Sequence, residues 1–230
     1  MVIAVSGPQG NALLAALSEP ERAQMLSGAQ RYTLQTRTVL YQAGDTLTHA
    51  YFPVSGLIAL LATTKDGSML QVAVADRRGF VGVPLVLRQD ETPYQIVVQA
   101  PGEAYRLPAR TLRAECQRLT ALQDATLRFA DAHLVEVGQA AVCHRFHTVL
   151  QRLCRWLLAY ARGAQSDTVV LTQERWGQVL GVPRGAISRA AAMLQEQAII
   201  RQRHGRIQIL NRAGLYSHAC DCAADLRLVH

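Results

Sequence analysis

The stretch Leu171-Thr-Gln-Glu-Arg-Trp-Gly-Gln-Val-Leu-Gly181-Val-Pro-Arg184-Gly-Ala-Ile-Ser188-Arg189 decides the reading of this 230-residue chain. Thr172 has the side chain of a helix N-cap, able to accept from an orphan amide of the first turn. Arg175 follows three residues on, where Glu or Gln would complete a capping box, so the box is not met. The helix it opens, Gln173 to Leu180, stops at Gly181, a residue suited to leaving a helix. A second helix begins after Val182-Pro183 and runs from Arg184 to Gln197, with Ile187, Ala191 and Leu194 at inward spacing. Ile199 to Arg203 and Arg206 to Leu210 then read as strands joined by His204-Gly205, and Val169-Val170-Leu171 upstream reads as a third short strand.

Helix, short Gly-containing turn, helix and β-hairpin form a winged helix-turn-helix. The charge distribution agrees. Residues 1–144 hold 12 basic and 12 acidic side chains, while residues 145–212 hold 11 Arg against Asp167, Glu174 and Glu196, a balance of +8. The tail from Ala213 carries Arg227, Asp221 and Asp225, which brings the net charge to +7. A solvated surface needs no such asymmetry; a polyanion-binding domain does, because neutralised phosphates release counterions.

Working outward, residues 33–107 alternate short apolar strands with turn residues: Val39-Leu40-Tyr41 before Gly44-Asp45, Ala50-Tyr51-Phe52 before Pro53, and Leu57 to Ala62 and Leu70 to Ala75 around Lys65-Asp66-Gly67-Ser68. The Gly-rich segment Gly79 to Pro84 follows, then Gln95 to Gln99 and Ala104 to Leu107 around Pro101-Gly102. Turns every 8–12 residues point to a small barrel or sandwich. From Ala109 to Arg162 there is no Pro and one Gly, and apolar residues recur at helical spacing. That length needs a short helix, a long one and a third, with a break near Phe146-His147-Thr148 and Thr148 as the N-cap of the third. The long helix has only a modest core stripe, as would a helix that pairs with a second copy or one that packs on the barrel.

These residues resemble the cyclic AMP receptor/FNR superfamily of bacterial transcription regulators. The Leu171–Arg189 segment matches its helix-turn-helix, and Ile199-Ile200 with Gly205 to Leu215 resembles its wing and the helix beyond. Leu40 to Asp45 and Tyr51 to Gly56 are similar to its β-roll. His147-Thr-Val, Arg152 to Leu158 and the closing Cys220-Asp-Cys222 resemble one subgroup. The resemblance spans roughly Gln30 to Cys222. It implies a recognition helix in the major groove, its first residues at base edges. Those residues are Arg184, Ser188 and Arg189; either Arg can bond guanine O6 and N7 or grip phosphate. Gly185 replaces a Glu usual in the family, so the operator need not match the usual half-site. Thr172, Gln173, Arg201, Arg203 and Arg206 are the expected phosphate contacts.

The effector pocket departs from the family. Where cyclic-nucleotide binders carry Gly-Glu and Arg-Ser, a gapless comparison finds Gly82-Val83 and Thr92-Pro93, and a Thr-Ser step on the long helix aligns with Val137-Gly138. Without the Glu and Arg, nothing compensates a buried cyclic phosphate or ribose hydroxyl, so cyclic AMP binding in the usual mode is not expected. The five Cys form no CxxC pair and the first is Cys116, which excludes an N-terminal iron–sulfur cluster. Cys143 and His147 have the i, i+4 spacing that suits a metal, and His133 could serve a haem or a pH switch. Hinge polarity and ordinary packing account for these residues, including His144, and Cys220 and Cys222 are too close for an easy mutual disulfide. Neither a cofactor nor a metal site is expected.

The reading is therefore α+β: an N-terminal double-stranded β-roll, jelly-roll-like, over 1–118, a long dimerisation helix and hinge over 119–146, and a C-terminal winged helix-turn-helix over 147–230. Such a chain would be a cytoplasmic homodimer that binds an inverted-repeat operator in double-stranded DNA, contacts RNA polymerase if it activates, answers an unidentified small molecule and performs no catalysis. No apolar run approaches the roughly 18 residues of a membrane span. The alternative is a small-ligand sensory module that acts on a protein partner, which the +8 balance disfavours.

Overall fold

The computed structural model describes residues 10–171, 173–203 and 205–225. They adopt the α+β architecture in two compact units: residues up to Leu60 with Val74–Leu134, and Leu61–Ala73 with the residues from Val135 onward.

The N-terminal unit opens with two short helices that strand periodicity does not show, α1 (Ala12–Ala15) and α2 (Glu19–Ser27). The roll strands follow along the chain: β1 (Gln30–Leu34), β2 (Val39–Tyr41), β3 (His49–Pro53), β4 (Leu57–Thr63) and β5 (Met69–Ala75), of which Leu61–Ala73 group with the second unit. The Gly-rich segment holds a one-turn helix, α3 (Val83–Val86), before β6 (Gln95–Ala100) and β7 (Gly102–Pro108). The sheets run β1-β7-β3 and β2-β6-β4-β5, so sequence neighbours are rarely sheet neighbours, as in a jelly roll. Leu34, Phe52, Ile58, Phe80, Val98 and Leu107 are all buried in the core of the roll.

Asn11 fixes the entry to this unit. Its side chain is fully buried, and Oδ1 accepts from the amides of Leu13 and Leu14, capping α1. Nδ2 donates to the carbonyls of Pro53 at 2.9 Å and Gly79 at 2.8 Å. One amide thus satisfies backbone groups of a helix, a strand end and a turn.

Three helices follow: α4 (Ala109–Arg118), α5 (Thr120–Phe146) and α6 (Val149–Gly163). Gly79 has no Cβ because there is no room for one: it would lie 2.1 Å from the ring of Phe129 on α5. The Phe129 ring packs tilted against Phe80, and Phe80 stacks on Phe52, so Phe129 belongs to the apolar row of its own unit. The large apolar residues of α5 left exposed are Leu127, Leu134, Val135, Val142 and Phe146.

In the second unit Thr148 caps α6 as the sequence predicts, and Gln151 reaches back to the Thr148 amide at 2.9 Å, completing a capping box. The buried face of α6 carries Leu153, Cys154, Trp156, Leu157 and Tyr160. After β8 (Thr168–Val170) come α7 (Gln173–Leu180) and α8 (Arg184–Glu196), with Gly181 between them at φ +59°, which favours glycine. Then β9 (Ile200–Arg203), β10 (Arg206–Ile209), α9 (Arg212–His218) and α10 (Cys222–Asp225) complete the described chain. The wing is a three-stranded sheet, β8-β10-β9, with β8 contributed from before the two helices. Ile187, Ala190, Ala191 and Leu194 hold α8 down, beside the fully buried ring of Trp176.

Candidate nucleic-acid interface

With its apolar residues turned inward, α8 presents Arg184, Gly185 and Arg189 to solvent, with Ser188 half-buried among them. The Ser188 hydroxyl donates to the Arg184 carbonyl at 3.1 Å, one turn back. Arg184 is the first residue of a 13-residue helix, where free amides and the macrodipole favour anions. No acidic residue lies in that first turn. Thr172 lies outside the described residues, and Gln173 is the first residue of α7.

The wing adds a second cationic surface. Arg206 pairs in register with Arg203, and Gln208 stands opposite both Arg201 and Thr168. The strand period puts these five side chains on one face, where they line a groove of about 680 Å³. Arg201, Arg203 and Arg206 are exposed. The salt bridges found among the described residues include none of them, nor Arg184 or Arg189. Arg212, by contrast, is held by Asp167 at 2.7 Å and serves the fold. Three adjacent like charges on a small sheet are mutually repulsive in the free protein and complementary to a phosphate backbone.

The expected effector positions are less convergent. Gly82, at φ +132°, lies against Ala50, where a Cβ would approach within 3.1 Å of the alanine methyl group. Val83 opens α3 half-buried, and Pro93 is exposed. Thr92 is buried, and its hydroxyl is engaged by the backbone of Tyr94. Val137 belongs to the other unit.

Beyond α5 the structure does what spacing could not show. Cys143 and His147, and Cys220 and Cys222, read in the sequence as two unrelated pairs and not as a metal site, come together as one cluster. Burial raises the Cys220 thiol to about 12, with the sulfurs of Cys143 and Cys222 adding to the effect. Burial also raises Cys222, while Arg155 opposes the shift. His144 points elsewhere: its Nδ1 lies 2.6 Å from the Arg152 guanidinium, and burial with the charges of Arg152 and Arg155 lowers it to about 4. His133 is buried beside Phe129 with Nδ1 unpartnered, and desolvation lowers its pKa.

The geometry is that of a sensor roll joined to a DNA-binding winged helix, and the comparisons agree. Residues 31–119 match the cyclic nucleotide-binding domain and residues 151–217 the Crp-like helix-turn-helix domain, in that order along one chain. The chain belongs to the CRP/FNR family and is a transcription regulator of that type. Solved structures share the fold. The c-di-GMP-responsive global regulator CLP of Xanthomonas campestris is 17% identical with a TM-score of 0.69, covering 84% of this chain and 99% of its own. FixK2 of Bradyrhizobium japonicum is 15% identical with a TM-score of 0.68, covering 84% and 98%. A CooA mutant of Carboxydothermus hydrogenoformans is 14% identical with a TM-score of 0.63, covering 90% and 94%. No curated protein sequence matches the chain. Among the described residues no helix is long and apolar enough to cross a membrane.

Proposed function

We propose that this regulator works in the cytoplasm as a homodimer that binds an inverted-repeat operator, with Arg184, Ser188 and Arg189 at base edges and Arg201, Arg203 and Arg206 on phosphate. Thr172 and Gln173 are assigned to phosphate at the start of α7. The observation that carries the reading is the set of exposed arginines on α8 and the wing, with no acidic partner among the described residues. Pairing through α5 is supported by its exposed apolar residues, Leu127, Leu134, Val135 and Val142, which a second copy would cover. Two-fold symmetry then sets the half-sites one helical turn apart. At an activated promoter the dimer would contact RNA polymerase. The roll takes the signal, but not as cyclic AMP held in the usual way, since Val83, Thr92 and Pro93 offer neither carboxylate nor guanidinium.

Selection of bound fragments from a genomic library, followed by mobility shift at moderate salt, tests the reading. A palindromic consensus bound by wild type and lost in Arg184→Ala supports it; binding without sequence preference refutes it. Leu134→Glu should convert the dimer to monomer in sedimentation, and a wild type that is monomeric at micromolar concentration would remove the dimer.

A further inference from the structure

The cluster after α5 has the makings of a metal centre. Cys143 sits in the last turn of α5 and His147 just beyond it, while Cys220 follows α9 and Cys222 opens α10. Their ligand atoms, Sγ of the three cysteines and a ring nitrogen of His147, all lie within 4.8 Å of one another. Cys143 Sγ and Cys220 Sγ are 4.0 Å apart, and Cys222 Sγ lies 3.9 Å from His147 Nδ1. Around one tetrahedral ion with metal–sulfur bonds of about 2.3 Å and metal–nitrogen bonds of about 2.05 Å, ligand separations are about 3.8 Å for S···S and 3.6 Å for S···N. The four atoms are therefore spaced for one shared ion, needing shifts of only tenths of an ångström at the two measured pairs.

Other occupations fit less well. A disulfide needs its sulfurs at about 2.05 Å, and the 4.0 Å separation leaves Cys143 and Cys220 as free thiols. An iron–sulfur cluster would place its ligands on different irons, further apart than ligands that share one ion. Ordinary apolar packing does not explain why three thiols and an imidazole converge from segments 77 residues apart. Gln139, one turn before Cys143, donates from Nε2 to Cys222 Sγ at 2.8 Å and to Cys143 Sγ at 3.8 Å. An amide N–H aimed at two sulfurs is the outer-shell support a thiolate centre uses to orient its ligands.

We propose that Cys143, His147, Cys220 and Cys222 are the four ligands of a mononuclear tetrahedral site for a thiophilic divalent cation, zinc. Three thiolates and one imidazole are the borderline-soft set zinc takes in structural sites. With all four positions filled by protein, no coordination site is left for substrate, so the ion's work is mechanical. It ties the chain after α9 to the end of α5 and closes the loop that contains the helix-turn-helix and wing.

Purified full-length protein, reduced and dialysed against zinc, should hold one zinc per chain by elemental analysis, bound at about nanomolar Kd or tighter. Cobalt loading should give a thiolate charge-transfer band and intense tetrahedral visible bands. Chelation should lower Tm by at least about 5 °C. Cys222→Ser and His147→Ala should lose the ion or bind it at least about a hundredfold more weakly. Cys154→Ala, outside the cluster, should keep it, and His147→Cys should keep it as a four-sulfur site. Reduced wild type that takes up no zinc, or that carries iron with acid-labile sulfide instead, would overturn the assignment. So would a Cys143–Cys220 disulfide that forms in preference to metal, or cobalt bands that survive in Cys222→Ser.

Discussion

Replacing Arg203 with Ala should move stability and DNA affinity in opposite directions, because the same charge is unfavourable in the free protein and favourable on DNA. Arg203 stands directly opposite Arg206 in the β9–β10 register, with Arg201 on the same face. Relieving a cross-strand like-charge pair is worth roughly 0.2–1 kcal/mol. In a chain of this length that raises Tm by about 1–3 °C. On DNA, each lost phosphate contact lowers the slope of log K against log salt by about 0.9. Between 50 and 200 mM salt wild-type affinity should then fall about 3.5-fold more steeply than that of Arg203→Ala, and about 40-fold more steeply than that of the variant with all three wing arginines replaced. Fluorescence anisotropy with operator and scrambled duplexes across that salt range reads both slopes, and thermal denaturation without DNA reads the stability. The reasoning fails if the triple variant keeps the wild-type slope. It also fails if Arg203→Ala weakens the operator while leaving the scrambled duplex untouched, since that would make Arg203 a base reader.

Arg184→Ala and Arg189→Ala should each cost about 1–3 kcal/mol on the operator and far less on scrambled DNA, as titrations at fixed salt would show. Asn11→Ala removes four hydrogen bonds and leaves two carbonyls unsatisfied in the core of the N-terminal unit; denaturant unfolding should show a loss of about 2–4 kcal/mol. His133 is held neutral by burial, its pKa lowered in the folded state. Its contribution is therefore complete above the unfolded value near 6.5 and is lost as pH falls below it, by at most about 1.4 kcal/mol per pH unit. His133→Gln should flatten the fall in Tm between pH 7 and 5, and an unchanged profile would dismiss the group.

The winged helix was legible because its punctuation is local. Gly181, Val182-Pro183 and Gly205 interrupt apolar periods, and the inward set Ile187, Ala191 and Leu194 is buried, joined by Ala190. Thr148 marks a helix start in the same way, and Gln151 three residues on spells out its capping box. Asn11 was not legible as a clamp, because two of its four partners lie 42 and 68 residues away. Periodicity puts Phe129 on the apolar face of the long helix but does not say what covers it, and the ring packs against Phe80 and Gly79 of its own unit. The cysteine–histidine cluster shows the limit most clearly. Each half has a spacing that suits many uses, and only the path of α9 back to the end of α5 joins them.

The order of strands in the wing sheet has a mechanical consequence. Because β8 precedes the two helices and β9 and β10 follow them, the helix-turn-helix is an excursion inserted between strands of a single sheet. The Leu171 amide also bonds the Gly205 carbonyl at 3.1 Å, tying the entry of that excursion to the turn of the hairpin beyond it. Reading head and wing are thus one casting. On the proposed assignment of contacts, a signal that reaches this unit would move helix and wing together, so phosphate and base contacts would be gained or lost together. Switching would accordingly show in footprints as gain or loss of a complete half-site, with no intermediate pattern in which wing and helix protect the DNA separately.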